Sequence, residues 1–491
     1  MTNYIRKVKT KSGGTAVQIE HKDGRTRTGI THIGTAHSDT ELSLLCAIAY
    51  EKMHEGQLSI DFDLDGGDAG LRLMKSYSGL LWGALESIYH VLGFHEIDDP
   101  VFKQLVLARI IEPASKLDTI RILDGLGLDV PSYTGICRCL RRVNDDNYRD
   151  EASRLCFAHA EQDSLLLVLY DVTTLYFEVQ KEDDYRKPGL SKERRLEPQI
   201  TIGLLVDSTG FPLEIQSFEG NCAEVKTILP VLAGFKARHG LNNITVTTDA
   251  AMFSAGNIEV LERLGYHYII GSRLSKTPYA IEAHLEGDGD FEDGQIFESL
   301  KTVTIDGKRM KRREIFQYRR KRAALDLSNI EKTVGKAQKI VDKKADIKRN
   351  RFLTVKGEER IVNHELADEA RRRAGIKGYV TDLEIPAQQV IDAYHRLFQV
   401  EKSFRMAKSD LRARPIFHRK RDSIEAHLTI VFTALAVARI IERETGISVK
   451  KFIQLLEPVR DGIVSANGTT IPIKPFVPDK VKEILTLLPK T

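Results

Sequence analysis

The chain is short of cysteine and tryptophan, lacks an apolar stretch at its start, and has little excess charge of either sign. Its five cysteines (Cys46, Cys137, Cys139, Cys156 and Cys222) are odd in number and scattered along 491 residues. That pattern argues against a disulfide framework and points to a reducing cytosol. Cys137 and Cys139 form the only close pair, and no second cysteine or histidine pair at zinc-finger spacing accompanies them. The opening MTNYIRKVKTKSGG has no apolar centre of the kind a signal peptide requires. The most apolar run, Leu428 to Ile441, is shorter than the ~20 residues that cross a bilayer and contains Arg439. It reads as a buried helix, and no membrane partner is expected. A net charge of +4, from 73 Lys and Arg against 69 Asp and Glu, neither demands nor excludes nucleic acid.

What is present is an ordinary globular balance, 42% hydrophobic and 29% charged, on a chain too long for one core, since single cores stop growing near ~250–300 residues. The patterning divides it into six stretches. Residues 1–75 mix short alternating segments with a helix, and end in the turn-rich stretch Asp61 to Gly70, as a small α+β domain would. Residues 76–160 are helical, with Lys116, Arg121, Arg138, Arg141 and Arg142 giving a basic face suited either to solvent or to DNA. In residues 161–275, LLLVLY suits a central buried strand, and QITIGLLVD–STG–FPLEIQSF reads as a hairpin. A helix, a strand (NITVTTD), a helix and a strand (YHYIIGSR) follow, which describes an α/β mixed sheet flanked by helices. Residues 276–380 read as a basic insertion, 381–445 as the rest of the sheet domain, and 446–491 as a C-terminal segment whose DKVKEILTLLPK packs on its own domain. Within the insertion, Lys308 to Arg322 holds nine Lys or Arg against one Glu, interleaved with Phe316 and Tyr318. Arg312, Arg313, Arg320 and Arg322 are therefore expected to meet a phosphate backbone.

Three carboxylates stand where a charge is costly. Asp171 follows LLLVLY, Asp249 follows NITVTT, and a charge at the end of a buried strand calls for a partner or a metal. Glu401 sits in YHRLFQVEKSFRMAK, where Val390, Tyr394, Leu397, Phe398 and Phe404 recur at helical spacing. On one continuous helix, seven residues turn through about 700°, so Tyr394, Glu401 and Lys408 fall nearly in line, with Glu401 directed at the sheet. The plain alternatives are helix capping for the aspartates and an ion pair with Arg405 for Glu401. Three acids converging at one sheet edge form an all-oxygen site that suits hard cations, Mg2+ with Mn2+ as the substitute. Two such ions clamp the attacking and leaving oxygens of a phosphodiester.

These segments resemble the DDE transposases of the insertion-sequence "IS-four" superfamily, in the branch of long single-chain enzymes. The resemblance covers most of the chain. It rests on YDVTTLYFE, LSKERRLEPQITIGLLVDSTGFPLEIQSFEGN, VTTDAAMFS and YHRLFQVEKSFRMAKSDLRARPIFH. It implies an RNase H-like catalytic domain interrupted by an insertion, with Asp171, Asp249 and Glu401 binding two metal ions per site. It also implies that Tyr394 and Lys408 hold phosphates of the element's end. Leu397 occupies the family's arginine position, which leaves Arg396 or Arg405 to supply that contact. The implied reaction cleaves the element's terminal inverted repeats and joins the freed 3′ hydroxyls to target DNA. The implied partner is double-stranded DNA bound by a homodimer, in a prokaryotic cytoplasm at the nucleoid. Two other functions fit some of these residues: a catalytically inactive DNA-binding descendant, and a phosphatase of the haloacid-dehalogenase type. The second lacks its further Asp, since Thr173 stands there.

Overall fold

The computed structural model describes residues 2–10, 14–23, 26–36, 39–53, 72–160, 167–178, 182–189, 197–250, 255–272, 274, 276–287, 289–305, 308–342, 344, 346, 348–356, 359–414, 416–466 and 469–489. Outside them lie the expected turn Asp61 to Gly70, the start of the LLLVLY run, the LSKERR stretch and most of the DAAMFS motif. The chain forms two compact units, Met1–Leu73 with Val464–Ile471, and Met74–Ile463 with Pro472–Thr491.

In the first unit, strands β1 (Thr2–Lys9), β2 (Thr15–Asp23) and β3 (Thr26–Ala36) form an antiparallel meander. Helix α1 (Asp39–Met53) lies on it, and Val17, Ile19 and Ala49 centre its small core.

The second unit follows strand β4 (Arg72–Tyr77) with helices α2 (Gly79–Val91), α3 (Pro100–Ile111), α4 (Lys116–Gly125), α5 (Tyr133–Asp145) and α6 (Tyr148–His159). Their starts are set by side chains: Asp99, Ser115 and Ser132 each accept a bond from an otherwise unpaired N–H in the first turn of the helix that follows. Of the expected basic face, Arg142 donates from Nε and Nη2 to Oδ2 of the buried Asp99, and Arg121 pairs with Glu112 at 2.9 Å. Arg138 and Arg141 are exposed.

The sheet follows as β5 (Leu167–Tyr176), β6 (Gln199–Val206), β7 (Pro212–Glu219), α7 (Ile228–His239), β8 (Thr245–Thr248), α8 (Ala255–Arg263) and β9 (His267–Ser272). The expected hairpin is β6–β7, antiparallel throughout. After α9 (Tyr279–Glu286) come β10 (Ile296–Ile305), β11 (Lys308–Tyr318), α10 (Arg320–Val341), β12 (Leu353–Lys356), β13 (Glu359–Val362), α11 (His364–Arg372) and β14 (Ile376–Thr381). Eight strands pair in the order β10-β11-β14-β9-β8-β5-β6-β7. β5, β8 and β9 run parallel, and the other pairs are antiparallel. The order β7-β6-β5-β8-β9, an antiparallel trio joined to two parallel strands, is the RNase H-like arrangement.

The stretch expected as a separate insertion behaves in two ways. β10, β11 and β14 extend the catalytic sheet, whereas α10, β12, β13 and α11 gather round their own core of Ala337, Phe352, Val362, Ala367 and Ala370. The chain closes with α12 (Ala387–His395), α13 (Phe398–Ser409), α14 (Arg421–Thr445), α15 (Val449–Leu456), β15 (Asp461–Ala466), β16 (Thr469–Ile473) and α16 (Asp479–Leu487). Among the described residues α14 alone is long and apolar enough to cross a membrane, but its apolar window is 94% buried. It packs on α3, α5, α6 and β7, joining helices to sheet. Val481, Ile484 and Leu488 of the C-terminal segment belong to the same core.

Candidate active site

Asp171 and Asp249 are placed by strand register. β5 and β8 pair Leu167 with Thr245, Val168 with Val246 and Leu169 with Thr247. Continued by two residues, that register sets Asp171 beside Asp249. Because side chains alternate along a strand, both then lie on one face, about one strand spacing (~4.8 Å) apart at the backbone. Asp249 stands just past the carboxyl end of β8, where α/β sheets bind their ligands, and Asp171 lies level with it in the middle of β5. Asp171 is partly exposed. Asp249 Oδ1 accepts the N–H of Ala250 at 2.6 Å and the hydroxyl of Tyr394 at 3.3 Å.

Tyr394 reaches Asp249 because the neighbouring strand leaves room for it. The β8–β9 register brings Gly271 level with Asp249, and a Cβ on Gly271 would lie 2.6 Å from the Tyr394 hydroxyl. The ring also packs edge-on against Tyr379 at 5.0 Å, with the Lys377 ammonium 5.0 Å from its centroid. Burial, and secondarily the Asp249 charge, push the phenol well above its ordinary pKa, so it remains a donor. Burial pulls Lys377 down, against the opposing pull of Asp249. Gly271→Ala is therefore expected to displace the phenol and lower turnover roughly 10–100-fold with the helical content unchanged. Nicking rates beside circular dichroism spectra check this.

At the other side, Lys408 Nζ donates to Thr173 Oγ1, and Thr173 shares with Asp171 one face of β5. The structure thus gathers Asp171, Asp249, Tyr394 and Lys408 around one sheet face, together with Thr173, Gly271 and Lys377, which the sequence reading missed. Lys377 had left a signal, a lone cation inside the apolar strand sequence IKGYV.

The helix expected to carry Glu401 inward is not continuous. Between α12 and α13 the N–H groups of Leu397, Gln399 and Val400 bond to carbonyls three residues back, at 3.0, 2.8 and 3.2 Å. That is a tighter winding than an α-helix, and it rotates the second segment relative to the first. Val400, Ser403, Phe404, Met406 and Ala407 form the buried face of α13, while Phe398 is 58% exposed. Glu401 is exposed as well, which corrects its expected place inside the apolar stripe. It forms no ion pair with Arg405 or with any other described residue. Among the described residues, no group of three carboxylate, histidine or cysteine side chains is gathered closely enough to hold a metal. Arg396 and Arg405 are exposed, on the turn and on α13.

Two arginines of the basic run are committed to the sheet. Arg312 forms a two-pronged pair with Glu262 at 2.8 and 2.7 Å. Arg313 donates to the carbonyls of Leu383 and Ile385 at 2.7 and 2.6 Å, and to Glu298. Both guanidiniums hold the sheet together and are not presented to a phosphate backbone. Arg320 is exposed, and Arg322 lies 3.4 Å from Asp326. Arg322 also lines a cleft of about 530 Å³ beside Asp249, together with Arg351, Arg373 and Lys377. This cleft gathers cations next to Asp249.

A family described as "Transposase DDE domain" matches residues 163–437, more than half of the chain. Among solved structures, a piggyBac transposase synaptic complex with hairpin DNA is similar at 11% identity, covering 80% of this chain and 82% of that one with a TM-score of 0.41. A pre-cleavage Mos1 transpososome is similar at 16% identity, covering 45% of this chain and 66% of that one with a TM-score of 0.16. No curated protein matches.

Proposed function

Because the chain belongs to the family of transposase DDE domains and is a DNA transposase, we propose that Asp171, Asp249 and Glu401 are its catalytic acids and that they hold a pair of Mg2+ ions. The observation that carries this is the register of the adjacent parallel strands β5 and β8, which, continued by two residues, sets Asp171 level with Asp249. The donor set fits the ions, since it consists of carboxylate oxygens with no thiolate or imidazole among them. When bound, the metal pair lowers the pKa of the attacking water and stabilises charge on the leaving oxygen.

The chain's own residues supply the rest. Tyr394, held protonated by its burial, donates to Asp249 and fixes the orientation of that carboxylate. Lys408, anchored at Thr173, places an ammonium beside Asp171 for a phosphate of the element's end. Glu401 lies on α13 between those two contacts in the chain and is the third acid. Its exposure leaves it accessible to the DNA that it must meet. Arg322 and Lys377 line the cleft beside Asp249 and offer further cationic contacts to the backbone. The reaction is hydrolysis at the element's terminal inverted repeats, followed by attack of the released 3′ hydroxyls on target DNA. The working unit is a dimer on two joined ends, in a prokaryotic cytoplasm at the nucleoid. The second reading, an inactive DNA-binding descendant, accounts for the basic surfaces but not for the paired aspartates.

The test is incubation of the full chain with Mg2+ and DNA carrying the inverted repeats that flank its gene. Nicks leaving 3′ hydroxyls at the repeat ends are expected, and they should vanish with a chelator. DNA retained without any nick in Mg2+ or Mn2+ would favour the inactive descendant.

A further inference from the structure

A second cationic cavity, of about 550 Å³, opens between the helical segment and the loop that follows α13. Its walls carry Arg109, Lys116, Arg412, Arg414, His418 and His427. Of the two acids on its rim, Glu112 pairs with Arg121 at 2.9 Å, and Asp118 accepts the hydroxyl of Ser115, itself a cavity residue, at 2.7 Å. Arg109 makes no hydrogen bond or ion pair among the described residues, although burial pushes its guanidinium down to about 10. An unpaired, partly buried arginine is costly unless an anion meets it. Its field is felt by both imidazoles. His418 is pushed down to about 4, by burial first and then by Lys116 and Arg109, and His427 is lowered by burial, Arg109 and His418. Arg412, at φ 44, is one of three non-glycine residues among those described in a left-handed backbone conformation, a strained state of the kind that clusters at ligand sites.

The loop is also tied to the catalytic strand. The N–H of Ile416 donates to the carbonyl of Tyr176 at 3.3 Å, and the Arg414 guanidinium lies 5.4 Å from the Tyr176 ring centroid. Tyr176 ends β5, the strand of Asp171 and Thr173. Tyr176 lies five residues beyond Asp171 on β5, so by alternation its ring stands on the opposite face of the sheet, and the loop meets the strand at its carboxyl end.

We infer that this cavity is a second phosphate site, which takes a backbone phosphate of the same DNA beyond the end of β5. The inference rests on the proposed site at Asp171 and Asp249 for its choice of DNA over other phosphates.

The test measures affinity of the full chain for a random-sequence duplex of about 30 base pairs across salt concentrations, with a chelator present so that cleavage plays no part. Lys116→Gln combined with Arg412→Gln is expected to reduce the slope of log affinity against log salt by about 1.8, from two phosphate contacts at ~0.9 each. Lys450→Gln combined with Lys451→Gln removes equal charge from exposed positions on α15 and is expected to leave the slope unchanged. An unchanged slope in the cavity variant, or an equal fall in the α15 control, would overturn the site. Inorganic phosphate that stabilises the wild type but not the cavity variant, with the DNA slope unchanged, would reassign the cavity to a free anion and overturn the DNA assignment. Absence of any DNA binding by the wild type would instead contradict the proposed function.

Discussion

Asp171→Asn and Asp249→Asn are each expected to lower metal-dependent nicking of the element's ends by ~10³-fold or more, while leaving DNA affinity and melting temperature near the wild-type values. The substitution keeps the shape of the side chain and removes only its charge. Neither residue anchors the core: Asp171 is partly exposed at the site, and Asp249 is exposed past the end of β8. The Tyr394 hydroxyl can donate to the amide oxygen of Asn as it does to Asp249 Oδ1. What is lost is the negative charge that holds a divalent ion, and with it the nucleophile and the stabilised leaving group. Glu401→Gln is expected to behave in the same way. If Glu401 served only as a surface residue, its substitution would move stability by no more than ~0.5 kcal/mol and leave nicking intact. Nicking rates at fixed Mg2+, measured beside affinity by fluorescence anisotropy, separate the two outcomes.

The second large effect is on stability, and it falls at the residue whose role the structure reverses. Arg312→Ala is expected to destabilise the fold by ~3–5 kcal/mol, because the Glu262 carboxylate it leaves behind is wholly buried. Glu262 would keep only the Tyr268 hydroxyl, at 2.6 Å, as its partner. Glu262→Gln in the Arg312→Ala background is expected to recover part of the loss, since it removes the orphaned charge. Arg320→Ala, eight residues away and exposed, is expected to change stability by less than ~0.5 kcal/mol. Urea melts of these variants check the ranking, and equal midpoints for Arg312→Ala and Arg320→Ala would return Arg312 to a solvent-facing role.

Most of the sheet was legible because its signals are local. An unbroken apolar run, a Ser-Thr-Gly turn between alternating segments, and helical spacing between strands each need only a few neighbouring residues. Asp171 and Asp249 were found the same way, as charges placed where an apolar run stops. Two of the misreadings involve partners distant in the chain. Arg312 pairs with a glutamate fifty positions earlier, and no local pattern in KRMKRREIFQYRRKR distinguishes a sheet-binding arginine from a DNA-binding one. β10 and β11 looked like insertion because they are polar. They join the sheet through the β11–β14 ladder, which pairs Arg313 with Thr381 and Tyr318 with Ile376 across an intervening subdomain. The turn at Arg396 and Leu397 carries no proline or glycine to announce it. A helical period drawn straight through it misplaced Glu401.

The central claim is that acids from β5, β8 and α13 share divalent ions. It is tested most directly by diffraction at the manganese edge from the chain bound to its end DNA in Mn2+. The account predicts anomalous peaks bridging the carboxylates of Asp171 and Asp249, with a Glu401 oxygen at ~2.0–2.2 Å from one of them. Peaks elsewhere, or a Glu401 side chain that stays in solvent about 10 Å from an occupied metal, would contradict it.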